Sequence, residues 1–156
     1  MPPEELARLY NIADCTLNIA DAEGFGLATL ESLSCETPII VNMTGGLQEQ
    51  VTDGKNWFGI GIEPSSKSVI GSQQVSFIRE DRINKQDFID SLLKMYNMSP
   101  EDRSKLGKAG REHIMKNYNF EDFKKTWVEE MLYIHEKYGS WETRKNYTRW
   151  ECKEVI

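Results

Sequence analysis

The stretch that decides the fold is Cys15 to Met43, CTLNIADAEGFGLATLESLSCETPIIVNM. CTLNIA reads as a strand whose imperfect alternation suits a segment covered on both faces. After Gly24 and Gly26, the residues Leu27, Leu30 and Ser34 fall on one helical face. Glu36-Thr37-Pro38 stops that helix, since proline cannot continue it, and PIIVNM is a second strand. A crossover of about a dozen residues is the length that a parallel strand, helix, strand unit needs. The expected fold is therefore α/β, a Rossmann-like parallel sheet flanked by helices.

The pattern extends in both directions. Upstream, Pro2 and Pro3 open a helix with Leu6, Leu9, Tyr10 and Ala13 on one face. Downstream, TGGLQEQVTDGKN supplies a Gly-Gly turn, a short helix and an Asp-Gly turn, and WFGIGIEP is a third strand. From Pro64 to Arg82 the pattern breaks down: SSKSVIGSQQ reads as loop and VSFIRE as a short extra strand. Phe88, Leu92, Leu93 and Tyr96 restore helical spacing. Ser99 is then a suitable N-cap for SPEDRSKLGKAGREHIMKNY, with Pro100 at the first helical position and acids in the first turn. Asn119 caps a last helix striped by Phe120, Phe123, Trp127, Met131 and Ile134. That stripe runs on toward Tyr138 and Trp141, so some of it is expected to be exposed. Residues 139–156 form a polar and aromatic tail after a domain expected to span residues 1–138.

Composition narrows the function classes. The chain has 156 residues, 39% hydrophobic and 28% charged, which suits one globular domain. A formal net charge of −6 disfavours general nucleic-acid binding. No apolar run reaches the roughly 20 residues that cross a bilayer, and the acidic start is unlike a basic, apolar leader, so a cytoplasmic protein without a transmembrane segment is expected. Cys15, Cys35 and Cys152 are too far apart for a zinc or redox motif and read as reduced thiols. His113 and His135 lack metal-site spacing and read as ordinary helix residues; no metal is expected.

Glu23 and Glu31 bracket the helix start. In an open parallel sheet, ligands bind beyond the carboxyl ends of the strands, where Glu23 falls. Gly24 and Gly26 let the backbone approach a ligand closely, and the N–H groups around Phe25, Gly26 and Leu27 open the next helix, an arrangement that suits a diphosphate. Glu31 lies about one turn further on. A carboxylate can hold two neighbouring hydroxyls, so Glu31 could take a ribose and Glu23 a hexose. The same spacing also arises where helix glutamates simply face water.

LYNIAD, EGFG, LES, the Pro-initiated strand, TGG and VTDG occur here in an order that resembles the donor-binding, C-terminal half of GT-B glycosyltransferases of retaining family 4. The E-x7-E motif is intact as Glu23 and Glu31. The resemblance runs from about Met1 to Gly61 and weakly through the final helices. It implies that a nucleoside diphosphate-sugar is the donor substrate, with no metal or other cofactor. Glu23 is then the catalytic residue, contacting the donor sugar's hydroxyls. Gly24, Phe25, Gly26 and Leu27 offer backbone contacts to sugar and β-phosphate, Glu31 binds ribose, and Thr44, Gly45 and Gly46 shape the adjacent loop. It also implies a hexosyltransferase whose other partner is an N-terminal GT-B domain, in cis or in trans, so that this chain alone is inactive. A noncatalytic nucleotide-sugar-binding or regulatory module on the same fold is the alternative. A general dinucleotide-binding protein is disfavoured because EGFG lacks the G-x-G-x-x-G fingerprint.

Overall fold

A computed structural model describes residues 1–146. The sequence expectations for residues 147–156, Cys152 among them, lie outside the described residues. The chain divides into two compact units, Met1–Asn117 and Tyr118–Ile156.

The first unit is built on the predicted parallel sheet. Helix α1 (Pro3–Ile12) has proline in its first turn and Glu4 and Glu5 beside the positive end of its dipole. Strand β1 (Thr16–Asn18), helix α2 (Leu27–Ser34) and strand β2 (Ile39–Asn42) form the expected crossover. Helix α3 (Leu47–Val51) then leads to β3 (Ile60–Ile62). Both strand pairs are parallel, in the order β1-β2-β3, with Leu17 opposite Ile40 and Val41 opposite Gly61. The fold class read from the sequence is the one observed.

Strand β2 is central and all four of its residues are buried, three of them the apolar run Ile39-Ile40-Val41 that a doubly covered parallel strand requires. β1 is an edge strand instead, and Leu17 is 48% exposed. The imperfect alternation of CTLNIA thus marks an incompletely covered edge rather than a strand buried on both faces.

Two helices close the unit. Helix α4 (Lys85–Tyr96) is capped by Asn84, whose Oδ1 accepts the Asp87 N–H at 2.9 Å. Its Met95 enters a core of Ile40, Ile60 and Ile62, lined by Phe88, Met98 and Leu106. Helix α5 (Pro100–Asn117) starts as expected, with Ser99 Oγ accepting the Asp102 N–H at 3.1 Å. It packs on α2 through its glycines. A Cβ at Gly107 would lie 1.9 Å from the Glu36 carbonyl oxygen, so only glycine lets the two backbones approach this closely. Leu33 of α2 is fully buried beside Gly110, a burial that stabilises by about 1.5–3 kcal/mol. His113 stacks on Phe58 at 4.2 Å and its Nε2 lies 2.9 Å from the Glu49 carbonyl oxygen, a packing role.

Pro64 to Arg82 differs from the loop expected there. Ser66–Ile70 and Ile78–Arg82 are strands β4 and β5, an antiparallel hairpin in register from Ser66 opposite Arg82 to Ile70 opposite Ile78. The extra strand expected in VSFIRE exists, shifted to Ile78–Arg82, and its partner SKSVI is a strand where the sequence pattern predicts a loop. No residue of either strand is fully buried, so no alternating apolar face betrays them.

The second unit contains α6 (Phe120–Tyr138), with Asn119 Oδ1 accepting the Asp122 N–H at 2.8 Å. The aromatic stripe exists as successive ring contacts, Phe120 to Phe123 and Phe123 to Trp127, each 6.2 Å between centroids. It buries no residue. Trp127 is 55% exposed, so the exposure expected of the distal end begins at the helix's first turns.

Candidate functional site

Two turns meet at the carboxyl end of the sheet. Residues 23–26 follow β1 and residues 44–46 follow β2. The Gly46 N–H donates to the Gly24 carbonyl at 3.2 Å. Gly45, at φ +49°, lies so close to the first turn that a Cβ there would sit 1.7 Å from the Glu23 carbonyl oxygen. At Gly46 a Cβ would lie 2.6 Å from the Phe25 carbonyl oxygen. These two glycines are therefore required by mutual approach, which is a physical reason for the TGG turn beside EGFG.

Gly26 caps α2 in the left-handed region, φ +90°, with no side chain capping the helix. Leu27 and Ala28 are the first helical residues, and an uncapped N-terminus presents N–H groups and the positive end of the helix dipole. Phe25 and Leu27 are exposed there. Glu23 is half-buried, and its carboxylate has no hydrogen-bond partner among the described residues.

Glu31 sits in the second turn of α2, on the side facing α1. Its Oε2 accepts the Tyr10 hydroxyl at 2.8 Å. Burial, and then the Glu31 carboxylate beside it, pushes the Tyr10 phenol up to about 12. A shallow groove of about 300 Å³ between α1 and α2 is lined by Tyr10, Leu27, Leu30, Glu31 and Cys35. Glu23, Gly24, Phe25, Gly45 and Gly46 are thus brought together, while Glu31 lies one turn along α2 toward α1.

Sequence reasoning named Thr44 but missed Gln50 and Asn42, which hold these turns with it. Gln50 of α3 is fully buried, and its Nε2 donates to the Phe25 carbonyl of the first turn. Its Oε1 has no partner and lies beside Gly26, where a Cβ would approach it to 2.9 Å. Asn42, also fully buried, donates from Nδ2 to the Ala20 carbonyl at 2.8 Å and the Asp81 carbonyl at 2.5 Å. Thr44 is buried, its hydroxyl donating to Asp81 Oδ2 at 2.9 Å. The available signal was the polar pair Asn42 and Thr44 at the end of the apolar strand run PIIVNMT, since polar side chains buried there must find hydrogen-bond partners.

Cys15 and Cys35 are free thiols. Burial pushes Cys15 up to about 11. Among the described residues no group of three or more His, Cys, Asp or Glu is arranged to hold a metal ion, and no helix is long and apolar enough to cross a membrane.

Comparison with known proteins gives this geometry a context. The family model described as Glycosyl transferases group 1 matches residues 1–113, which include every element of the site. A D-inositol 3-phosphate glycosyltransferase of Thermobifida fusca is 30% identical over 112 residues, 72% of this chain and 21% of the relative. Its counterpart from Corynebacterium jeikeium is 42% identical over 65 residues, 41% of this chain and 16% of the relative. The chain spans about a fifth or less of the length of these curated relatives. Among solved structures, sucrose-phosphate synthase from Thermosynechococcus elongatus superposes with a TM-score of 0.62 at 23% identity, over 83% of this chain and 28% of that one. That likeness shows a shared fold.

Proposed function

The chain belongs to the glycosyl transferases group 1 family, and on that premise we propose that its first unit is the donor-binding part of a retaining glycosyltransferase. The donor is a nucleoside diphosphate-sugar. What carries the reading is the meeting of the 23–26 and 44–46 turns at the carboxyl end of β1 and β2, beside the uncapped start of α2. Open α/β sheets bind their ligands at this end, and anions favour a helix N-terminus.

In this reading the diphosphate lies against the α2 N-terminus and the backbone of Gly24 to Leu27. Glu23 is the catalytic residue, holding hydroxyls of the donor sugar. Glu31, oriented by Tyr10, accepts hydrogen bonds from the ribose. Transfer breaks the bond between the sugar's anomeric carbon and a phosphate oxygen, which leaves with the electron pair. Amides fixed in advance at the helix start stabilise that growing negative charge without reorganising. The acceptor hydroxyl oxygen forms the new bond to that carbon, its proton passing to the departing phosphate oxygen, and an N-terminal domain, in cis or in trans, supplies the acceptor contacts.

The test is a binding screen of UDP-, GDP- and ADP-sugars against the protein joined to its N-terminal domain, scored together with sugar transfer. Binding with transfer is expected for one of the three classes. Binding without transfer would favour a noncatalytic nucleotide-sugar module, and no binding by any donor would sink the reading.

A further inference from the structure

The β4–β5 hairpin is anchored at the same end of the sheet as the candidate site. Its root residue Asp81 reaches both loops. The Asp81 N–H donates to the Asp21 carbonyl, in the β1–α2 loop, at 2.7 Å. The Asp81 carbonyl accepts from Asn42 Nδ2, and the same Nδ2 also holds the Ala20 carbonyl. The Asp81 carboxylate accepts the Thr44 hydroxyl at 2.9 Å through Oδ2, while Lys67 Nζ lies 3.8 Å from Oδ1. One residue thus makes contact with Asp21, two positions before Glu23, and with Thr44, the residue before Gly45.

We infer that Asp81 is a positioning residue for the donor site, setting the spacing between the 23–26 and 44–46 turns. The inference rests on the donor-binding reading above. Its physical basis is that the two turns touch through the Gly46 N–H to Gly24 carbonyl hydrogen bond and through glycines that leave no side chain to interlock. Such a contact holds its geometry only if both loops are fixed from outside. Gln50 fixes the first turn from below, at Phe25, and Asp81 fixes the second from the hairpin side, at Thr44. A hydrogen bond to an ionised carboxylate is about twice as strong as a neutral one, and the Thr44 hydroxyl is shielded from water. The hairpin is therefore part of the site's scaffold and not a surface insertion.

The test reads the Gly46 amide, because its partner lies in the opposite turn. In the 156-residue chain, Asp81→Ala should speed hydrogen exchange at Gly46 about tenfold, the scale of one hydrogen bond to a charged group. Asp81→Asn keeps a side-chain oxygen to accept from Thr44 and should stay within about twofold of wild type. Thr44→Val removes the donor, so it should match Asp81→Ala, and the double variant should add nothing further. Amides of Leu106 to Ile114 in α5 should be unchanged in all of them. Exchange at Gly46 that is unaffected, or that rises only together with α5, overturns the proposal. In the protein joined to its N-terminal domain, with UDP-glucose, GDP-mannose and ADP-glucose as probes, any donor that binds wild type should bind Asp81→Ala several-fold more weakly and recover with Asp81→Asn. If none binds wild type while Gly46 responds as stated, the donor reading fails and the positioning role of Asp81 stands.

Discussion

The hydroxyl of Tyr10 donates to Glu31 Oε2 at 2.8 Å, joining α1 to α2 through two residues 21 apart in sequence. One carboxylate oxygen is thereby held, and the orientation of the other is set. Tyr10→Phe removes the hydroxyl and keeps the ring. It should weaken nucleoside diphosphate binding by about 1 kcal/mol, the net value of an ordinary hydrogen bond, with the fold retained. Titration calorimetry on both proteins checks this; equal affinities would show that Tyr10 does not orient Glu31.

The same pair produces an alkaline signature. Folded Tyr10 keeps its proton up to about 12, whereas its ordinary value is 10.0. The folded state therefore binds more protons across that window. Its contribution to stability is complete below the ordinary value and is lost as pH rises through about 12. Urea midpoints measured toward alkaline pH should fall more steeply for wild type than for Tyr10→Phe. Parallel curves would contradict the assignment.

Gln50 offers a test of the turn's foundation. Gln50→Leu preserves bulk but removes the hydrogen bond that Gln50 donates to the Phe25 carbonyl, so a loss of about 1–3 kcal/mol is expected in denaturant unfolding. A variant as stable as wild type would mean that water or a shifted turn satisfies that carbonyl. The orphaned Gln50 Oε1 pulls the other way, since leucine removes an unpaired polar atom. The low end of the range is accordingly expected.

Two glycine substitutions separate site from scaffold. Gly45→Ala must push the Glu23 carbonyl away and also adopt φ +49°, so it should damage both stability and donor binding. Gly107→Ala forces α5 from the Glu36 carbonyl and should lower stability, leaving donor affinity unchanged in whatever fraction remains folded. Thermal melts paired with calorimetry distinguish the two. Loss of affinity by folded Gly107→Ala would contradict the assignment of Gly107 to scaffold alone.

What the sequence disclosed depended on how far apart the interacting residues lie. The β1-α2-β2 unit was legible because its signals are local: apolar runs, two glycines, and Pro38 closing the helix. The hairpin was not, because β4 and β5 bury no face and so carry no period-two pattern. The incomplete cover of β1 also escaped notice, since imperfect alternation describes an exposed edge as well as a buried strand. Within the site, Glu23, Glu31 and the glycines stood out by spacing. Tyr10, Gln50 and Asp81 did not, because they act across 21, 25 and 37 residues, and each looks locally like an ordinary surface or helix-face residue.

The central claim, that Glu31 holds ribose and Glu23 the donor sugar, is tested most directly by titrating one nucleoside diphosphate and its nucleotide sugar against folded wild type, Glu31→Ala and Glu23→Gln. Each protein is measured joined to its N-terminal domain. Glu31→Ala should weaken both ligands alike, by about 1.5–3 kcal/mol, because both carry the ribose. Glu23→Gln should leave the free nucleotide unaffected and lose affinity and transfer only for the sugar-bearing ligand. Undiminished nucleotide affinity in Glu31→Ala, or normal sugar transfer by Glu23→Gln, would contradict the account.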